Sequence, residues 1–439
     1  MSARTEARAG LEAVHRAAIA AVEPGDCVRS ALRRGAAGLE IAGRPVPASA
    51  RLFLLGIGKA GASMAAAAEE IAGPALAAGW VLVPDGCERV LTRCELRRAS
   101  HPIPDERGAA ATREILAWAA QPGPGDVLLV LLSGGGSSLL CAPAEGLALA
   151  DVAAAVRELL ADGASIDELN TVRKHLAAAT GGRLARATRA GRVEVLAISD
   201  VVGDRLDVIA SGPFAPDPSR FDDALAVLAR RDRERRIPRA VRAHLEAGAR
   251  GEREETPGPD DPAFARTRHT LIATNATAVR AACSAATSLG WRGVVATNGL
   301  CGEARRAGPR LVALCDASRA ERPLCLVAGG ETVVTVKGAG RGGRSQELAL
   351  AAALAIDGRR DVAVLAAGTD GADGPTDAAG AFADGDTVAR GRRAGVDAAT
   401  ALADNDSYGF FHREGGLLRT GPTGTNVTDL ALVLRDPRR

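Results

Sequence analysis

The sequence predicts an α/β protein of two domains, a parallel sheet in the first and a mixed sheet in the second. Three observations carry that reading. Short Val- and Leu-rich runs alternate with helical patterns through the first half of the chain. A glycine turn, Gly56-Ile57-Gly58-Lys59-Ala60-Gly61, joins a strand-like run (51–55) to an Ala/Glu helix pattern (62–72). Thr256-Pro257-Gly258-Pro259-Asp260-Asp261-Pro262 has the composition of a linker, which sets the expected domains at 1–258 and 259–439. With 439 residues the chain can fill two or three cores.

The elements follow in order. Residues 3–38 read as helical, with a break at Pro24-Gly25. Strand-like runs lie at 51–55, 80–83, 127–132 and 193–198, with helices expected over 62–72, 105–120, 151–160 and 171–190. Near-continuous apolar strands of this kind suit a parallel sheet covered on both faces. Residues 221–255 are Arg-rich and helical, broken at Pro238. The second half resumes with strands at 269–273, 293–297, 324–328, 333–336 and 362–366. Two of these flank Gly329-Gly330-Glu331 as a hairpin would, which makes the second sheet mixed.

Composition narrows the function class. A net charge of +2 offers no electrostatic case for nucleic acid or a membrane surface. No apolar run reaches spanning length and the N-terminal stretch lacks a signal-peptide core, so a cytoplasmic protein is expected. Eight cysteines without C-x-x-C spacing suggest reduced thiols, not a zinc cage. Of 55 basic residues only Lys59, Lys174 and Lys337 are lysine. They are candidate places where a compact ammonium cannot be exchanged for a planar guanidinium, although Lys337 reads equally well as a solvated strand end.

Five loops place Gly, Ser, Asp or Asn directly after an apolar run, the edge where open α/β sheets bind ligands. In the first, Gly58 and its neighbours match G-x-G-x-x-G, with Asp85 some two dozen residues on, so a dinucleotide pyrophosphate or a phosphoryl group beside Lys59 would both suit it. In the second, Ser133, Gly134, Gly135, Gly136, Ser137 and Ser138 can curl amides and hydroxyls around an oxyanion. The third carries Asp200, Asp204 and Asp207. Asp200 ends its strand and is the first choice for a Mg²⁺ ligand or a base, whereas Asp204 and Asp207 read equally as caps or surface charge. In the fourth, Arg341 and Arg344 sit among glycines at a helix start and suit bidentate contact with phosphate or carboxylate. The fifth, Gly368 to Asp377, places Asp370, Asp373 and Asp377 close together without EF-hand spacing. A tail loop with Thr423, Gly424 and Asn426 is a further anion candidate. Neither G-x-S-x-G nor a Walker A sequence is present. His101 is the one histidine in a loop suited to a cleft, and Tyr408 reads as packing or contact alike.

Together GIGKAG, SHPIPDE, SGGGSSLL, LNTVRKHL, SDVVGD, GGETVVTVKGAGRGGRSQELAL, GTDGADGPTDAAG, NDSYGFF and TGPTGTNVTDL resemble the class II glycerate 2-kinases, in order from about residue 10 to 432. The resemblance implies a Rossmann-like N-terminal domain and a C-terminal MOFRL domain. It also implies phosphorylation of D-glycerate to 2-phosphoglycerate by ATP, with Mg²⁺ or another divalent cation, in a cleft between domains. The family's catalytic lysine and arginine fall on Lys59 and Arg341. Two positions depart from the family pattern, Ser345 for Asn and Thr180 for Lys. Phosphoryl transfer asks for anion loops, cations, Mg²⁺ and a proton acceptor. On that basis Lys59, Arg341 and Asp200 are the expected catalytic groups. Gly58, residues 133–138, Arg344, Thr423, Gly424 and Asn426 are expected to bind phosphate or substrate, and Asp200, Asp204 and Asp370 the metal. A homodimer stays open beside a monomer. The alternatives are an NAD(P)H-dependent hydroxypyruvate reductase, resting on Gly58 and Asp85, and a non-catalytic sensor of phosphorylated sugars or acids.

Overall fold

The computed structural model describes residues 3–36, 38–318 and 321–438. They form two compact units: Pro24–Ser199 with Asp204–Ile272, and Met1–Glu23 with Asp200–Gly203 and Ala273–Arg439.

In the first unit a small antiparallel sheet, β1 (Leu32–Gly35), β2 (Gly38–Ile41) and β3 (Arg44–Pro45), precedes the main one. The main sheet comprises β4 (Leu52–Ile57), β5 (Leu76–Pro84), β6 (Cys94–Ala99), β7 (Val127–Leu132), β8 (Arg192–Ile198) and β9 (Thr267–Ala273), in spatial order 6-5-4-7-8-9. All pairings from β6 to β8 are parallel. β4 and β7 are buried at every residue, which explains why neither alternates apolar with polar side chains. They are direct neighbours, with Ile57 opposite Leu132, so the loops that follow them leave the sheet side by side. Chain order also reverses between them, the switch point where such sheets bind ligands. A satellite core forms where Leu149–Ala161, Ile166–Leu176, Phe221–Arg231 and Arg239–Ala249 pack around Val172, Phe221 and Leu245.

The second unit has β10 (Arg292–Leu300), β11 (Leu324–Gly330), β12 (Val362–Gly368), β13 (Gly380–Asp384), β14 (Leu417–Leu418) and β15 (Asp429–Arg435), in order 10-11-15-12-13-14. Only β10–β11 is parallel; the other pairings are antiparallel, so the sheet is mixed. Helix Arg344–Ala355 is buried from Ser345 to Ala353 and fills the core with β11, β12 and β15. This explains its near-uniform Ala and Leu content.

One expectation is corrected, and two elements lie apart from the expected domain division. Residues 324–336 do not form a hairpin: β11 lies between β10 and β15, and Val333 makes a single parallel bridge to Glu303. The expected cut at 258/259 differs from the compact division, because β9 completes the first unit's sheet. The opening helix, Ala3–Ala20, belongs with the second unit, where Arg8 donates to the carbonyls of Gly415 and Leu417. Among the described residues no helix is long and apolar enough to cross a membrane, and all eight cysteines are free.

Candidate active site

The first glycine turn is built differently from a dinucleotide fingerprint. Its amides are already engaged: Gly58 N–H donates to Leu82 O (3.1 Å), Lys59 N–H to Gly134 O (2.9 Å), Ala60 N–H to Ser133 Oγ (3.0 Å) and Gly61 N–H to Gly58 O (2.9 Å). Gly58 has φ +108°, and a Cβ there would fall closer than 3.0 Å to Ser133 O and Oγ. Gly58 is therefore required for the turn to lock onto the loop after β7. Asp85, the expected ribose acid, forms a two-bond pair with Arg107 (3.0 and 2.7 Å) that holds its carboxyl below the usual range. The reading of this turn as an open pyrophosphate cradle is corrected.

The second loop is more open than the first. Gly135 is left-handed (φ +86°), and no protein acceptor faces the N–H of Gly134, Gly135 or Gly136 among the described residues. Three successive amides in such a turn make an anion-binding concavity. The serines divide by role. Ser133 is buried and props the first turn, while the Ser138 hydroxyl donates to Gly135 O (3.1 Å). Ser137 Oγ accepts from Ser211 Oγ (2.8 Å). Lys59 borders this concavity: a Cβ on Gly135 would lie 3.3 Å from Lys59 Cγ and 3.1 Å from the His101 ring. The Lys59 ammonium is half-buried and pairs with no carboxylate among the described residues. Burial, reinforced by Lys59, holds His101 below its ordinary pKa, so the ring is neutral near pH 7.

Ser211 belongs to a strained corner. Ala210, Ser211 and Gly212 have φ of +52°, +58° and +59°, and each non-glycine residue in that region costs about 1–2 kcal/mol. Lys174, the second rare lysine, is buried between Asp207 (3.3 Å) and Asp217 (3.4 Å) and acts structurally; Lys337 is exposed. Asp204 stands in a left-handed turn (φ +54°).

In the second unit the loop carrying Arg341 is seated by Asp404, Asn405 and Asp406, more than sixty residues later. Asn405 Oδ1 accepts from Lys337 N (2.7 Å) and Gly338 N (3.1 Å), Asp404 Oδ1 from Ala339 N (3.1 Å), and Asp406 Oδ1 from Arg341 N (3.2 Å). The glycines press against protein: a Cβ on Gly340 would strike Asp406, and one on Gly342 would strike Ser407. What this loop presents is the exposed Arg341 guanidinium, lying 4.1 Å over the Tyr408 ring with no acid partner among the described residues. Arg344 is placed otherwise. It pairs with Asp429 (2.5 and 3.0 Å) and Glu331 (2.6 Å), so its guanidinium is already engaged by two acids. Thr423 is engaged too, its hydroxyl donating to Thr369 O (2.6 Å) and its N–H to Asp370 O (3.2 Å). Asn426 Oδ1 accepts from Thr428 N (3.1 Å). Gly424 has open space at its Cα.

The expected metal set does not assemble. No group of three or more His, Cys, Asp or Glu among the described residues could hold an ion. Glu331 has its carboxyl pushed up by burial and by Asp429, Asp200 and Asp370, while Arg344 counters. Asp370 itself accepts from Ala372 N (3.0 Å). Asp373 caps helix Arg344–Ala355 through the N–H groups of Ser345 and Gln346, and burial raises its carboxyl to about 7. The residues therefore suit a divalent ion that arrives on phosphate oxygens better than a resident, protein-caged one.

Fold and loops together define a two-part α/β protein whose halves match separate families. The DUF4147 family, a domain of unknown function, matches residues 10–246, and the MOFRL family matches residues 324–429. The glycerate 2-kinase of Pyrococcus horikoshii is 39% identical over 428 residues, 96% of each chain. A crystal structure of glycerate kinase from Thermotoga maritima, 39% identical, aligns with a TM-score of 0.85 over 98% of this chain and 100% of that one. A relative from Agrobacterium vitis whose name provisionally assigns it to hydroxypyruvate reduction is 39% identical over 391 residues, 88% of this chain and 87% of its own. The chain belongs to the glycerate 2-kinase family.

Proposed function

We propose that this protein transfers the γ-phosphoryl group of ATP to the C2 hydroxyl of D-glycerate. The observation that carries the reading is the pairing, at one sheet switch point, of three unused amides with an ammonium that has no acid partner. Such an array holds and neutralises phosphoryl oxygens, which is most of what phosphoryl transfer demands. In the reaction the C2 oxygen bonds to the γ-phosphorus, the bond to the bridging oxygen breaks, ADP leaves, and the hydroxyl proton passes to a base. Lys59 is assigned to charge on the transferred group, Arg341 to an anionic group of substrate, and Asp200 to the proton. Mg²⁺, carried on the nucleotide, would supply charge neutralisation, with Asp200 or Asp370 as its protein oxygen ligands.

The reductase reading draws on the Agrobacterium vitis relative, but the occupied amides of residues 58–61 and the Asp85–Arg107 pair leave no cradle for a dinucleotide. The deciding test runs purified protein with D-glycerate and Mg-ATP, following ADP and 2-phosphoglycerate, in parallel with hydroxypyruvate and NADH. ADP release is expected; cofactor oxidation without it would overturn the kinase. Lys59→Met is expected to lower kcat by about 10²–10³-fold, the loss typical of one preorganised electrostatic group.

A further inference from the structure

The first unit contains a cavity of about 410 Å³ between helices Leu149–Ala161 and Ile166–Leu176, opening beside Ser137. Most of its wall is apolar, including Leu140, Leu149, Val152, Val156, Leu169 and Leu176. Arg157 lines it from helix Leu149–Ala161, and three further polar groups are linked to one another. Arg173 Nη2 donates to Ser137 O (3.1 Å), and Ser137 Oγ accepts from Ser211 Oγ. Arg173 is sunk deep enough for burial to lower its pKa, yet no carboxylate pairs with it among the described residues. Thr180 also lines the cavity, only 2% exposed, and its hydroxyl has no hydrogen-bond partner.

A half-buried guanidinium bonded only to a carbonyl and an orphaned hydroxyl are each left short of partners that a ligand would supply. The size falls within the roughly 300–1,000 Å³ usual for sites that enclose drug-sized molecules. A three-carbon acid, polar at every carbon, would leave this apolar wall uncovered. A flat heterocycle with a pentose would cover it and leave one hydroxyl partner for its edge. Ser137 directly continues the open amides of Gly134 to Gly136, so a chain of phosphates starting at Arg173 would run onto those amides towards Lys59.

We infer that this cavity holds the nucleoside of the phosphoryl donor, with Arg173 anchoring its phosphate end and Thr180 bonding the base or sugar. The inference rests on the kinase reading for the identity of the donor, and deepens it by assigning the nucleotide to this cavity. The test is calorimetric binding of ADP to the full chain, with Ala153→Trp to fill the cavity and Arg173→Met to remove the anchor, alongside D-glycerate KM. ADP affinity should fall at least tenfold in both variants while D-glycerate KM stays within twofold. Unchanged ADP affinity in folded Ala153→Trp, or a raised D-glycerate KM with ADP binding intact, overturns the assignment. If either variant fails to fold, 2-azido-ADP photolabelling of wild type decides: label at 102–104, between residues 137 and 180, or at Ser211 supports the cavity, and label elsewhere refutes it. Wild type that binds ADP but releases none from Mg-ATP with D-glycerate would sink the kinase reading and leave the cavity standing.

Discussion

Replacing Gly58 with alanine tests whether the first glycine turn is a packing device. At φ +108° an L-residue lies outside its comfortable regions, which costs about 1–2 kcal/mol or more. The new Cβ would also meet backbone, Gly134 O at 2.8 Å and Ser133 O closer still, so nothing flexible can yield. Overpacking of this kind adds about 1–3 kcal/mol, giving a total of about 2–5 kcal/mol against the 5–15 kcal/mol of a typical domain. Gly86→Ala is the control, because Gly86 has φ +85° with nothing within 4 Å of the added carbon. It should show the conformational cost alone. Urea unfolding at constant slope measures both. Equal losses in the two variants would mean that the contact with the 133–134 backbone contributes nothing, and the interlocked turn would be refuted. Because the same contact positions the Lys59 backbone, ADP release by folded Gly58→Ala should fall on the order of 10²-fold, as expected for a misplaced catalytic group.

Other consequences can be checked with equally small changes. Asp373→Asn should flatten a pH dependence: a carboxyl raised from 3.8 to about 7 binds its proton more tightly when folded, so wild-type stability declines as pH rises from about 4 to about 7 and levels beyond. The ceiling is about 4 kcal/mol at 1.36 kcal/mol per tenfold change in proton affinity, read from denaturation at pH 5 and pH 8; a wild-type profile parallel to the variant's would refute it. Tyr408→Leu removes the ring beneath Arg341 and should lower kcat/KM about two- to fivefold, matching a cation–π contact of about 0.5–1 kcal/mol. Tyr408→Phe should restore most of that loss, and equal defects in both would assign the effect to the hydroxyl bonded to Asp377. Asp85→Ala breaks only an exposed ion pair and should leave D-glycerate turnover within twofold; a tenfold drop would mean that Asp85 serves the reaction.

The central strands were legible because full burial leaves a signature in composition. β4 and β7 carry unbroken apolar side chains for the same reason that they sit in the middle of the sheet. The second sheet was expected to be mixed on the wrong ground: antiparallel β15 comes from the chain's end to insert between β11 and β12, a pairing across about a hundred residues that no local pattern encodes. The opening helix and β9 crossed the expected boundary likewise, since each is placed by partners distant in sequence. The rarity of lysine marked three positions, and the structure separates them into an unpaired ammonium, a buried ion pair and an exposed end.

The candidate site was proposed from its glycines, but glycine records only that backbone must bend or approach closely, not what it approaches. At Gly58 the neighbour is Ser133, and at Gly340 and Gly342 it is the 406–407 backbone and side chains, all of them protein. At 134–136 three successive amides are left over, and at Gly342 and Gly343 two more, among the described residues. The difference depends on Asp404, Asn405 and Asp406 filling one loop and on Ser133 filling the other. Arg173 was hidden for the converse reason. On helix Ile166–Leu176, between Val172 and a lysine with two acid partners, it reads as one more surface arginine. Its significance comes from what burial withholds, a carboxylate, and no spacing of residues announces a missing partner. Glycine loops thus mark where a ligand can approach, while a half-buried cation without an acid partner among the described residues marks where one is proposed to bind.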